Sequence, residues 1–165
     1  MTYTSHSRSN RPLGLIALFS FGALAVALIS QYGFDMQPCA WCVFQRLLYL
    51  AIGVLALIGL LGSLTGGRFL ARLAALLGVL LSAGGIAAAW YQYSVASHMM
   101  SCAQTFADRF MGATGLDAMV PWLFGIYATC ADAMVKVLGV EYALWSLALF
   151  VLILLASLTA LFKRR

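Results

Sequence analysis

Four stretches of the chain run almost without polar side chains for about the length a helix needs to cross a bilayer: residues 13–32, about 42–62, about 73–93, and 142–162. A hydrocarbon core of about 30 Å takes roughly 20 helical residues. Backbone polar groups in lipid must be paired within the segment, so each stretch is predicted to be a transmembrane helix. The first has Arg8 and Arg11 ahead of it, as a secretory signal would. Its uncharged run is too long for a signal core and no clear Ala-x-Ala site ends it, so it is expected to be retained. The short glycine-containing turn at residues 63–67 makes the second and third helices antiparallel neighbours. Gly84 and Gly85, with Ala83 and Ala87 to Ala89, offer the third helix a small-residue face for close packing. The expected fold is an all-α membrane protein, a four-transmembrane-helix bundle forming a single membrane domain over residues 1–165.

Charge gives this bundle a direction. Only 9% of residues are charged while 64% are hydrophobic, a balance foreign to soluble proteins. The net charge of +5 would fit nucleic-acid binding only if the cations were pooled on one surface, and they are not. Seven of the ten Lys and Arg fall in three clusters: Arg8 and Arg11, Arg68 and Arg72, and Lys163 to Arg165. All five acids lie between those clusters. Basic residues concentrated on one side of successive spans mark the cytoplasmic face of a bacterial inner membrane. Both termini are thereby predicted to be cytoplasmic, with a short periplasmic loop at about 33–41 and a long one at about 94–141. Within the long loop, residues 119–127 form an apolar run too short to span, and a short interfacial helix is expected there. The first ten residues are polar and expected to be disordered.

The chemistry sits in the two outward loops, which hold all four cysteines. In Gln37-Pro38-Cys39-Ala40-Trp41-Cys42 a Cys-x-x-Cys pair stands at the mouth of the second span. Pro38 fits the first turn of a helix, so the helix is expected to start there. Cys42 and Arg46 are four apart and share a helix face. A helix N-terminus and a guanidinium both favour a thiolate, and an arginine inside an apolar span marks a functional site. Trp41 is most simply an interface anchor. Proximity pairs Cys39 with Cys42 and leaves Cys102 with Cys130. A purely structural role suits Cys102–Cys130, since closing such a loop contributes about 3–4 kcal/mol. It suits Cys39–Cys42 poorly, because so small a ring constrains little and such rings are usually redox-active. Four-thiolate zinc binding wants two Cys-x-x-Cys knuckles, and only one is present, so no metal site is expected. Two cysteine pairs on one membrane face point to a thiol–disulfide relay. With no haem, dinucleotide or flavin motif, the fitting electron acceptor is a membrane-soluble quinone, hydrogen-bonded by Arg46.

These features together resemble the DsbB family of disulfide-generating membrane proteins. The match consists of Pro38-Cys39-x-x-Cys42 followed by Gln45-Arg46, Cys102 and Cys130 in the second outer loop, Val120-Pro121 before Cys130, and four spans. The resemblance implies an enzyme, a protein-disulfide-generating thiol:quinone oxidoreductase of the bacterial inner membrane. Its partner would be a DsbA-like periplasmic thioredoxin-fold oxidase, which in reduced form attacks the loop disulfide at Cys102. Cys130 then exchanges with the anchored pair through Cys39, and Cys42 engages ubiquinone or menaquinone, drawn from the membrane quinone pool, beside Arg46. Some relatives have a histidine near the outer end of the third helix, proposed to sit by the quinone. Here that region reads Trp90-Tyr91-Gln92-Tyr93, so Tyr91 or Gln92 would supply the ring contact, and His98 is expected to be a solvated loop residue. Two alternatives stand beside this one: a non-catalytic four-helix adaptor with structural disulfides, and a vitamin K epoxide reductase-like enzyme. The second is disfavoured because its Cys-x-x-Cys commonly sits at the last helix.

Overall fold

The computed structural model describes residues 7–65, 68–98 and 105–162, with side chains from residue 11 onward. Four long helices dominate: α1 (Ser7–Phe34), α2 (Ala40–Leu64), α3 (Arg68–Ser94) and, at the C-terminal end, α7 (Tyr142–Phe162). Each is long and apolar enough to cross a membrane. They pack as a four-helix bundle in which α1 meets α2, α2 meets α3, α3 meets α7, and α7 closes back on α1. Their large apolar side chains point both ways. Ile16, Ile52, Phe150 and Ile153 fill the interior, while Leu18, Leu61, Leu80 and Leu155 face outward, as a lipid-facing surface requires.

Small residues set how closely the helices approach. On α3, Ala71, Ala74, Ala75, Gly78, Ser82, Gly85, Ala88 and Ala89 form the buried stripe, recurring every three or four residues as one helical face must. Gly59 of α2 sits against Ala74, and the open side of Gly85 is filled by the Phe150 ring. The expected small-residue face is therefore real but rotated. Gly85, Ala88 and Ala89 belong to it, whereas Ala83, Gly84 and Ala87 face outward.

Helix ends depart from the expected bounds because hydropathy marks the lipid core, whereas a helix continues until its backbone is capped. α1 already includes residues 7–10, which corrects the expected disorder there; residues 1–6 lie outside the described residues. Pro12 lies inside α1 near its start, and its missing amide removes one intrahelical bond, to the carbonyl four residues back. α2 begins at Ala40 rather than Pro38, with Cys39 as its N-cap in extended conformation (φ −87°, ψ 171°). Pro38 stays outside the helix, and its carbonyl instead accepts from the Tyr127 and Ala128 amides at 3.1 and 3.3 Å.

The long loop is more structured than its composition announced. After a single 3₁₀ turn at Ala96–His98 it forms α4 (Phe106–Thr114), α5 (Leu116–Met119) and α6 (Pro121–Phe124). A two-stranded hairpin follows, β1 (Lys136–Val137) with β2 (Val140–Glu141), turning through Leu138 and Gly139 at positive φ. α4 is fixed by a capping box in which Thr105 and Asp108 exchange hydrogen bonds. The apolar run at 119–127 divides between two roles. Leu123 and Phe124 are buried in the bundle core, while Met119, Trp122 and Tyr127 are exposed.

Candidate functional site

The N-terminus of α2 brings three cysteines together. Cys39, fully buried at the N-cap, and Cys42, one turn on, hold their sulfurs 2.9 Å apart. That is well beyond a covalent S–S bond of about 2.05 Å, and Cys39, Cys42 and Cys130 are all free thiols. Cys130 comes from the far end of the long loop. The paired amides of Tyr127 and Ala128 on the Pro38 carbonyl anchor the chain just before it. A turn closed by Thr129 and Asp132, with Oγ1 to Oδ2 at 2.6 Å, then carries Cys130 into the apolar cluster around Cys39. Cys102 lies outside the described residues, so the pairing expected between it and Cys130 is not part of this geometry.

The three thiols are not equivalent. The hydrogen bond to Cys130, then that to Cys42, then burial hold the Cys39 thiol well above the usual range. The same hydrogen bond from Cys39 pulls Cys130 below it, against the opposing effect of burial. Of Cys39 and Cys130, Cys39 is the thiol that holds its proton more firmly. A thiolate is the nucleophile in disulfide exchange, and Cys130 is the loop sulfur disposed to be one.

Arg46, one turn below Cys42, is only 5% exposed although it is a cation. Its Nη1 donates to Gln31 Oε1 at 2.6 Å and to the Leu123 carbonyl at 3.1 Å, and Nη2 donates to the Ala27 carbonyl at 3.3 Å. These tie α1, α2 and α6 together, which explains why Leu123 turns inward. All three acceptors are neutral. Of the five guanidinium donors, two are left over among the described residues. Cys42 and Arg46 share the wall of an open cavity with Ala27, Ser30, Pro38 and Tyr142.

The outer end of α3 supplies Gln92 to the sulfurs. Its Nε2 donates to Cys42 Sγ at 3.2 Å and reaches Cys39 Sγ at 3.6 Å, while its Oε1 accepts from Gln45 Nε2 at 2.7 Å. Tyr91 packs against Trp41, with ring centroids 4.9 Å apart. His98 is exposed and lies within hydrogen-bond reach of Ser97. Trp41 is not an interface anchor: it is 7% exposed, covered by Tyr91, Phe44 and Phe106 of α4. α4 was missing from the sequence-based expectation, and its Thr-x-x-Asp capping box was the signal available for it. Gln31 and Ser146 also went unremarked, and Gln45 entered only as part of the family match, although polar residues inside apolar spans are costly enough to demand a partner or a role.

Comparison with known proteins agrees with this architecture. The family described as "Disulfide bond formation protein DsbB" matches residues 9–160. A protein named Disulfide bond formation protein B from Ralstonia nicotianae is 34% identical over 151 residues, covering 91% of this chain and 92% of its own. Its namesake from Herminiimonas arsenicoxydans is 30% identical over 159 residues, covering 96% and 99%, and that from Acinetobacter baylyi is 31% identical over 154 residues, covering 92% and 90%. With four helices able to span a membrane and a family match over nearly its whole length, the chain belongs to the DsbB family of disulfide bond formation proteins.

Proposed function

We propose that this protein generates disulfides by passing electrons from a DsbA-like periplasmic thioredoxin-fold oxidase to a membrane quinone. The observation that carries the proposal is the meeting of Cys130, Cys39 and Cys42 in one cluster, from which Cys42 shares a cavity wall with Arg46. The reduced partner attacks the Cys102–Cys130 disulfide at Cys102, forming a mixed disulfide and releasing Cys130 as a thiolate. The partner's second thiol resolves the mixed disulfide, so the loop pair becomes a dithiol and the partner a disulfide. Cys130 attacks the oxidised Cys39–Cys42 pair at Cys39, freeing Cys42, and Cys102 then closes on Cys130 to release Cys39. Two electrons and two protons thereby move from the partner's dithiol to the anchored pair. A quinone supplies a two-electron, two-proton acceptor that is soluble in the bilayer and departs as quinol.

The cavity supports a quinone headgroup on two counts. Its wall is largely apolar, and Arg46 keeps guanidinium donors unspent on protein acceptors among the described residues. Cys42 and Arg46 are the residues that would hold the group, Arg46 by donating to a ring oxygen as it gains charge. Topology follows the same logic. The exposed Arg11, Arg68 and Arg72 lie at the bundle end opposite the cysteines, which supports an inner-membrane protein with cytoplasmic termini and a periplasmic cysteine face.

The test uses the purified protein, a reduced thioredoxin-fold oxidase and ubiquinone or menaquinone, with quinone absorbance followed over time. Loss of absorbance that requires all four cysteines is expected. A reduced partner whose second cysteine is replaced by alanine should be trapped as the mixed disulfide at Cys102, as it would not be by a non-catalytic adaptor. Failure of any quinone to accept electrons from the reduced protein would end the proposal.

A further inference from the structure

Behind the sulfurs runs a buried ladder of hydrogen bonds that crosses three helices. Gln45 and Tyr49 lie on the same face of α2 as Cys42, one and two turns below it. Ser146 Oγ donates to Gln45 Oε1 at 2.6 Å, and Tyr49 Oη lies 2.9 Å from Ser146 Oγ and 3.1 Å from the Ser146 carbonyl. Gln45 Nε2 donates to Gln92 Oε1, and Gln92 Nε2 to Cys42 Sγ. Gln45, Tyr49 and Gln92 are all buried.

The direction of this ladder is forced once Cys42 ionises. A thiolate can only accept, so Gln92 must present its amide hydrogens to it. Gln92 Oε1 is then left to accept from Gln45 Nε2, and Gln45 Oε1 from the Ser146 hydroxyl, while the one Tyr49 hydroxyl hydrogen is shared between Ser146 Oγ and the Ser146 carbonyl. From Ser146 onward every donor points toward the sulfur, and in a low-dielectric interior each bond polarises the next.

We propose that Gln92 is the residue that stabilises the Cys42 thiolate, with Gln45, Ser146 and Tyr49 as positioning residues that orient and polarise its amide. The inference deepens the relay proposed above, in which Cys42 is the sulfur facing the quinone. The titratable groups facing Cys42 from the packed elements are Cys39 and Arg46 near α2's start, Tyr142 of α7 across the cavity, and Cys130 beyond Cys39.

The test removes the quinone so that the two proposals can fail separately. In full-length protein in detergent carrying Cys39→Ala, Cys102→Ser and Cys130→Ser, Cys42 is the sole thiol, and Arg46 and Tyr142 are common to every variant. Its alkylation by iodoacetamide is followed across pH. Gln92→Leu should slow alkylation at neutral pH about ten-fold, the effect of losing one hydrogen bond to a charged group. The parent rate should return at alkaline pH, where any thiol is ionised. Gln92→Glu, of the same size but without the amide donors, should lose at least as much at neutral pH. Tyr49→Phe should lose about two-fold, as a neighbour of a neighbour would. Parent rates at neutral pH in both Gln92 variants, or a loss equal at every pH, would overturn the role of Gln92. An unchanged Tyr49→Phe beside slowed Gln92 variants would overturn the ladder. If Gln92 governs alkylation while the intact protein passes no electrons to quinone, the relay falls and this inference stands.

Discussion

Arg46→Ala separates stability from function more cleanly than any other change at the site. The side chain makes three hydrogen bonds, but they are unequal in what their loss would leave behind. The Ala27 carbonyl lies inside α1 and keeps the intrahelical donor its position provides, and the Gln31 amide can rotate toward the opened space. The Leu123 carbonyl receives no main-chain donor among the described residues, so it is the one acceptor orphaned. An orphaned buried acceptor costs about 1–3 kcal/mol. Against that, the variant no longer buries a cation that has no acidic partner among the described residues, and this relief acts in the opposite direction. Folding stability in detergent should therefore change modestly. Quinone reduction should not. If the guanidinium donates to the quinone oxygen, deleting a charge-assisted hydrogen bond removes about 1.5–3 kcal/mol, or about ten- to hundred-fold in kcat/KM for quinone. Arg46→Lys keeps a charge but offers no planar fork, so it should fall between parent and alanine. The assay is steady-state quinone absorbance with saturating reduced partner and varied quinone, alongside thermal unfolding. An Arg46→Ala protein that unfolds at the parent temperature and keeps the parent kcat/KM for quinone would refute the assignment of Arg46.

The unequal thiols give a prediction in pH. The pKa of Cys130 is depressed and that of Cys39 raised, so in the reduced protein Cys130 should hold thiolate to lower pH than an ordinary cysteine, and Cys39 should gain it only in alkaline solution. Mass-resolved alkylation across pH should label Cys130 before Cys39, and the reverse order would refute this difference between the two thiols. The packing gives another. A methyl group at Gly85 would run into the Phe150 ring, which is fully buried and stacked on Tyr49 at a centroid distance of 4.1 Å, whereas Gly84 has nothing within 4 Å of the same position. Gly85→Ala should cost about 1–3 kcal/mol by overpacking, and Gly84→Ala should be neutral or stabilising by up to about 1 kcal/mol. Thermal unfolding of the two in the same detergent checks it, and equal shifts would mean that α3 is rotated from the orientation described.

What could be seen in the chain beforehand followed from how strong each signal is. Four apolar runs announce four helices because lipid leaves a backbone no other way to satisfy itself. The Cys-x-x-Cys with an arginine one turn on announces a site because few other reasons exist to place that cation in an apolar span. Orientation within the bundle was harder to read. Ala83 and Ala88 are alike in sequence, and only the neighbours α3 meets decide which is buried: Ala88 joins the cluster around Cys39 and Trp41, while Ala83 faces outward. Pro38 illustrates a different limit. As a helix starter its local preference is genuine, yet its carbonyl is used from outside the helix by the loop that delivers Cys130. No property of residues 37–42 alone contains that contact.

The same reasoning explains why the polar residues of the spans are distributed as they are. Ser20 and Ser157, deeper in the bundle, are buried with no hydroxyl partner among the described residues. A serine is small enough to be tolerated where helices pack closely. Gln31, Gln45, Arg46 and Gln92 are too large for that explanation, and each of them is engaged. All four stand within about two turns of the bundle end where Cys39 lies. A bundle that needed only to pack would fill those positions with leucine, since buried polar networks are no more stabilising than well-packed apolar groups. Their concentration around two sulfurs and a cavity is what a site for moving charge requires. Donors there are fixed before the charge arrives, so that no solvent has to reorganise when it does.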